Sequence, residues 1–124
     1  MIPIKPNPND WKKPLYVASF DKVSHDDELN EVREYKEPIY YEYNYQPVSS
    51  YLDIQAFGKD AIEMKKIVIP IKDKDLFKEY DVAYLEGATP DGEENYGDNA
   101  NYVFLPPKEG NAVVIIYCQK IKGK

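Results

Sequence analysis

Between Ala112 and Ile121 the chain carries apolar side chains on both faces of an extended backbone. Val113, Ile115 and Tyr117 lie on one face, and Val114, Ile116 and Cys118 on the other. Side chains alternate across a strand, so a strand apolar on both faces needs cover on both. This stretch must therefore be a central strand with structure on each side of it. A charge placed at Ile115 is expected to unfold the domain, because neither face offers it water.

A second stretch has the opposite character. Ile39, Tyr41, Tyr43 and Tyr45 alternate with Tyr40, Glu42, Asn44 and Gln46, the period of a strand with one buried face. Pro38 and Pro47 bracket it, as suits residues that cannot donate to a ladder. Around these two strands, Leu15 to Asp21 reads as a first strand and Lys22 to Glu34 as an exposed charged loop. Ser49 to Lys59 suits either a short strand or a turn of helix, broken at Gly58. Ile62 to Ile71 reads as a long strand with a bulge near Lys65-Lys66, with a helix through Asp60 to Lys66 as its competitor. Asp73 to Lys78 suits one helical turn with Asp73 as N-cap. Asp81 to Glu86 and Tyr102 to Leu105 are short strands, and Gly87 to Asn99 is a loop between them. Pro106-Pro107 stops the second, and Glu109-Gly110-Asn111 makes a turn.

The count is six or seven short strands at spacings that predict a mainly β chain. The expected fold is a small antiparallel β-barrel or sandwich with at most one short helix. With 124 residues there is room for one domain, assigned to 15–124. Residues 1–14 hold Pro3, Pro6, Pro8 and Pro14, which bias the chain to extended geometry and predict an arm. Trp11 is its natural anchor, since a lone ring on an arm needs somewhere to pack.

Tyrosine is unusually abundant, 12 residues against 4 Phe and 1 Trp. A phenol pairs an apolar ring with a hydroxyl that wants a polar partner, which suits both thin β folds and protein–protein interfaces. Trp11, Tyr40 and Tyr96 are the interface candidates. The formal charge of −6 argues against attraction to nucleic acid phosphates, and Lys65-Lys66 and the Lys120, Lys122, Lys124 end are too small for a DNA footprint.

Few residues offer chemistry. His25, the single histidine, sits in the charged run Ser24 to Glu28 and has no second histidine or distant acid to work with. Cys118 is alone in an apolar strand, which marks a packed thiol, not a nucleophile. The loop Asp91 to Asn99 supplies oxygen donors, and Asp91, Glu93 and Asp98 are its candidate cation ligands. Their spacing fails the EF-hand order, so a solvated turn is the plainer reading. No glycine motif for a nucleotide occurs. No catalytic residue and no cofactor are expected. The start of the sequence lacks a continuous apolar core like that of a signal peptide, no run is long enough for a membrane span, and a reducing cytoplasm is the expected site of synthesis.

The order of features resembles the head–tail connector and head-closure (stopper) proteins of siphophages infecting Gram-positive hosts. The resemblance runs through Leu15-Tyr16-Val17-Ala18-Ser19-Phe20, then Tyr35-Lys36-Glu37-Pro38-Ile39-Tyr40-Tyr41. It continues through Ala56-Phe57-Gly58, Lys66-Ile67-Val68-Ile69 and Asp81-Val82-Ala83-Tyr84-Leu85. Ala100-Asn101-Tyr102-Val103-Phe104 and Asn111 to Tyr117 complete it, covering roughly residues 15 to 121. It implies a virion protein made in the host cytoplasm, assembled as a ring with itself and touching portal or adaptor and tail proteins. Such a protein closes the portal channel and docks the tail, while packaged DNA passes without sequence-specific binding and no membrane is involved. The acidic balance is compatible, because like charge lets a duplex slide. The proline arm departs from the family pattern, and no channel plug can be assigned. The alternatives are a tail-terminator or other minor virion protein, or a small ligand-binding β-domain using the Asp91 to Asp98 loop.

Overall fold

A computed structural model describes residues 12–48, 51–90 and 96–121. The chain forms β1 (Lys13–Ala18), β2 (Phe20–His25), β3 (Glu31–Tyr35), β4 (Ile39–Pro47), the helix α1 (Tyr51–Phe57) and β5 (Met64–Pro70). These are followed by β6 (Val82–Tyr84), β7 (Tyr102–Phe104), β8 (Lys108–Glu109) and β9 (Val113–Lys120). Six strands, in the order β5-β4-β1-β6-β7-β9, close into an antiparallel barrel through a β5–β9 pairing, and β8 adds to the β9 edge. The mainly β expectation resolves to a barrel, with one short α-helix among the described residues.

Closure fixes which side of each strand is dry. Leu15 and Val17 of β1, Tyr45 of β4, Ile67 and Ile69 of β5, and Val114, Ile116 and Cys118 of β9 meet inside. Phe77 plugs the interior, edge-on to Tyr41 at 5.1 Å, to Tyr43 at 5.7 Å and to Phe104 at 5.3 Å between ring centroids. Aromatic pairs of this kind add about 0.5–1.5 kcal/mol each beyond the area they bury.

Two patches of the barrel's outer surface are also covered. Over β9 and β5, Val48, Ala61, Met64 and Tyr117 are buried together, with Phe57 of α1 and Ile115 packed against them. Over β1 and β6, Ala18, Val82, Tyr84 and Ala100 are buried with Tyr16, Tyr35 and Val103 at their margin. The double coverage expected of the last strand is therefore met on one side by the barrel and on the other by the helical segment.

Several boundaries differ from expectation. The segment Lys22 to Glu34 is a hairpin, β2 paired with β3 in a separate sheet, with Lys22 opposite Glu34 and Ser24 opposite Val32. Both its faces are largely wet, so it lacks the apolar alternation by which a strand is recognised. The first strand stops at Ala18, because the Phe20 backbone N–H donates to the Asp81 carboxylate (2.8 Å) and draws the chain off the barrel. The ambiguous stretch before Gly58 is the helix α1, continued by a 3-10 turn over Gly58–Glu63. No bulge interrupts β5, whose pairing with β9 runs in register from Met64 opposite Gln119 to Pro70 opposite Val113. The change of apolar face before Lys66 is instead the handover from the 3-10 turn to the strand. Asp73 ends a 3-10 turn over Ile71–Asp73 and caps no helix; its carboxylate accepts from the Tyr43 hydroxyl at 3.1 Å.

The burial of β9 predicts a graded result. Ile116 is fully buried inside the barrel, whereas Ile115 is only partly covered by the helical segment. Ile116→Asp should unfold the domain, since an unpaired buried charge costs several kcal/mol against a total of roughly 5–15 kcal/mol. Ile115→Asp should lower the melting temperature by a smaller step and leave a folded protein. Equal melting temperatures for the two variants, measured by circular dichroism, would contradict this assignment of faces.

Candidate interaction sites

The hairpin tip is built around one carboxylate. Asp26 Oδ1 accepts from the backbone N–H groups of Glu28 and Asn30, both at 2.9 Å. The Leu29 N–H donates to the Asp26 carbonyl (3.0 Å), and the Asp26 N–H donates to the Asn30 carbonyl (3.1 Å). The Asn30 backbone N–H, with help from Glu28, holds the Asp26 carboxyl below its ordinary range. This staple holds Leu29 at φ 63°, a left-handed conformation that a leucine seldom adopts, with 80% of its surface exposed. The turn thus holds an apolar side chain outward, at the end of an arm whose Val23 and Val32 are also exposed.

The base of the hairpin is fixed to the barrel. Phe20 meets the rings of Tyr35 and Tyr80 at 6.0 and 6.2 Å, and the Arg33 guanidinium lies 5.2 Å over Tyr80. Tyr35 packs against Gly97, where a Cβ would come within 2.7 Å of its ring, so the close approach requires glycine. Asp81, 3% exposed, anchors the junction, with Oδ1 accepting from Phe20 N–H and Oδ2 from Lys78 N–H at 2.9 Å. Burial pushes its carboxyl above the ordinary range, against the pull of those two donors.

Two clefts accompany these elements. One, of about 580 Å³, lies between hairpin and barrel, and Asp21, Glu31, Arg33, Glu34, Tyr96 and Asp98 contribute its polar lining. The other, of about 440 Å³, opens in the barrel wall where β4 and β5 part. Pairing between these strands covers only Asn44–Pro47 and Lys65–Val68, so the wall is splayed beyond Asn44.

The expected interface residues are separated. Tyr40 is exposed on the outer face of β4, edge-on to Tyr16 at 5.3 Å, and its hydroxyl donates to Glu42 at 2.8 Å. Tyr96 lines the hairpin cleft. Trp11 and the arm lie outside the described residues, as do Asp91 and Glu93; of the three candidate cation ligands only Asp98 is described, exposed in a turn. Among the described residues, no three His, Cys, Asp or Glu side chains converge as a bound metal ion requires. His25 is exposed at the end of β2, while Cys118 is fully buried, with burial pushing its thiol well up. No described helix is long and apolar enough to cross a membrane.

Sequence reasoning missed Leu29, Asp26 and Asp81. The signal for the tip was present, as Asp26 and Asn30 bracket a turn whose polar side chains satisfy its own backbone. For Asp81 there was none, since its partners Phe20 and Lys78 meet it only after folding. Comparison with family models, curated proteins and solved structures finds no match to this chain.

Many phenols are tied to carboxylates. Tyr117 donates to Asp53 at 2.6 Å and Tyr102 to Glu86 at 2.8 Å, in addition to the Tyr43–Asp73 pair. Burial first, then the adjacent carboxylate, pushes Tyr43 and Tyr117 up to about 12, and the same two causes push Tyr102 up as well. A folded-state pKa above the unfolded value of about 10 favours the neutral form in the fold. The stabilisation is full below pH ~10 and is lost as pH rises towards 12. Tyrosinate absorbance of the folded protein should therefore show a late class of phenols that Tyr117→Phe diminishes, with stability falling across that window. A single class titrating near pH 10 in protein that is still folded would contradict it.

Proposed function

We propose that this chain is a ring-forming structural protein of a tailed-bacteriophage virion, seated at the head–tail connector. There it closes the portal channel and gives the tail a docking surface. Its partners are copies of itself, a portal or adaptor protein and tail proteins, and packaged DNA passes nearby without being read in sequence. In this reading no residue is catalytic and no cofactor takes part. The observation that carries it is the hairpin: an antiparallel ribbon standing off a closed barrel, with a stapled tip holding Leu29 outward. Backbone held in a costly conformation to expose an apolar side chain suits a contact element better than a folding element. Closed rings use heterologous contacts, in which one side of a subunit fits a different side of the next. The molecule offers such separate surfaces, with Leu29 and Val32 on the hairpin, Ile39 and Tyr40 on β4, and Leu52 and Ile62 on the helical segment. The order of strand segments resembles the connector family, and the net charge of −6 suits a subunit that DNA slides past.

A second reading, a small ligand-binding β-domain, has the 580 Å³ cleft beside the hairpin in its favour. Leu29→Asp separates the two. Asp tolerates the left-handed backbone of that position at least as well as Leu, so the melting temperature should be unchanged. Under the connector reading the variant should fail to form rings in electron micrographs, and should fail to join filled heads to tails in a phage lacking the gene. Normal joining by the folded variant would overturn the role given to the hairpin.

A further inference from the structure

We propose that the cleft between β4 and β5 is the seat of this chain's own proline-rich segment 1–11, which doubles back from β1 and closes the splayed wall. The inference goes beyond the connector reading and does not rest on it, since it concerns how one subunit completes its own barrel.

The cleft is a gap in the pairing of the wall. Among the described residues, Ile39–Tyr43 of β4 pair with β1 alone, and Ile69 and Pro70 of β5 pair with β9 alone. Strand edges of this kind are ordinarily paired or covered by another part of the chain. The walls suit a particular cover. Tyr41 and Tyr43 line the cleft with Val68, Pro70 and Val113. Both rings are held in place, since they pack edge-on against Phe77 and the Tyr43 hydroxyl is tied to Asp73. Fixed aromatic walls beside aliphatic side chains are a surface on which proline-rich segments dock.

The segment starts at the cleft. Lys12 is itself one of the lining residues, so Trp11 follows one residue from the groove. Lys13 lies opposite Tyr43 in an antiparallel pair, so the chain leaving β1 towards its N-terminus runs in the direction of Asn44 and Tyr45. A turn is needed to bring it back along the cleft, and Asn7-Pro8-Asn9-Asp10 has the composition for one: Pro8 presets the second position of a turn, with Asn and Asp around it. The limb beyond the turn is Ile2-Pro3-Ile4-Lys5-Pro6. As polyproline II its five residues span about 12 Å, against about 10 Å for the edge from Tyr41 to Asn44 as a strand.

Composition and charge agree with this seat. Ile2 and Ile4 bring aliphatic surface to the two rings, and Lys5 can face Glu42 and Asp73, while Asp10 can face Lys12 and Lys72. A limb stiffened by prolines loses little entropy on docking. Tethering at Lys12 gives it an effective concentration on the order of millimolar, which a separate chain would have to match in solution.

The test uses the full chain with a photoreactive benzoylphenylalanine in place of Ile4, mixed with a large excess of isotope-labelled unsubstituted chain. Cross-linked peptides are mapped by mass spectrometry. The expected products join position 4 to residues 41–44, 68–70 or 112–113 of the same, unlabelled copy, in a yield that dilution leaves unchanged. A second probe, in place of the exposed Lys72, guards against a bulky group at position 4 that spoils the fit, and should join residues 2–6 of its own copy. Products that join probe to labelled chain would give the groove to a second copy and overturn the proposal. Products at other surfaces such as α1, or no product from either probe, would overturn it as well. The Leu29→Asp variant reads ring formation and head–tail joining, so either proposal can fail without the other.

Discussion

The pairing of β5 with β9 is the constraint on which the other elements depend. It joins the two ends of the strand order, brings Ile67 and Ile69 beside Ile116 and Val114, and leaves neither strand with a free inner face. β9 serves as the template on its other side too. β7 pairs with its C-terminal half and β8 with its N-terminal half, so Pro106 and Pro107 interrupt what would otherwise be one continuous partner. Proline removes ladder donors, and the break falls where the chain changes from β7 to β8. Loss of this pairing would expose the barrel interior and the helical segment at once, since Tyr117 and Met64 hold the outer cluster to the same two strands.

Coverage of the outer surface decides what remains for other molecules. Over β6 the cover is the hairpin base and the turn at Gly97, held by the Asp81 carboxylate and by the close packing of Tyr35. Over β9 it is α1 with the 3-10 turn behind it. Among the described residues no such element covers β4, where Tyr40 and Glu42 are exposed, and the wall beside it is splayed. Buried Asp81 is costly on its own, as a desolvated carboxylate. Its two backbone donors, with no buried side-chain polar atom of the described residues left unpartnered, make the junction tolerable.

The parts of this fold that were legible in the sequence are those in which burial writes a period. Tyr41, Tyr43 and Tyr45 alternate with polar residues because only one face of β4 is dry, and β9 is apolar on both faces because both are covered. The hairpin carried no such record: Lys22, Glu34, Ser24 and Val32 pair across it through backbone hydrogen bonds, with water on either side. The helical segment was ambiguous because, among its described apolar side chains, it buries only Ala61 and part of Phe57, too few residues to set a period. Of the interface candidates, Tyr40 and Tyr96 are described at surface positions, but nothing in composition singled out Leu29. An isolated leucine in a charged run has meaning only once the Asp26 staple that exposes it is known.

Barrel closure removes most strand edges, and among the described residues edges survive at the hairpin, at β8 and at the β4–β5 cleft. Unpaired edges invite any extended chain, so a protein that keeps them must discriminate among guests. Here the charges at those edges supply the discrimination. The hairpin bears an exposed Lys22–Glu34 pair at 3.6 Å, too solvated to add much stability, and the cleft mouth carries Glu42, Asp73 and Lys72. A like strand adding to either edge would have to place its own charges against these.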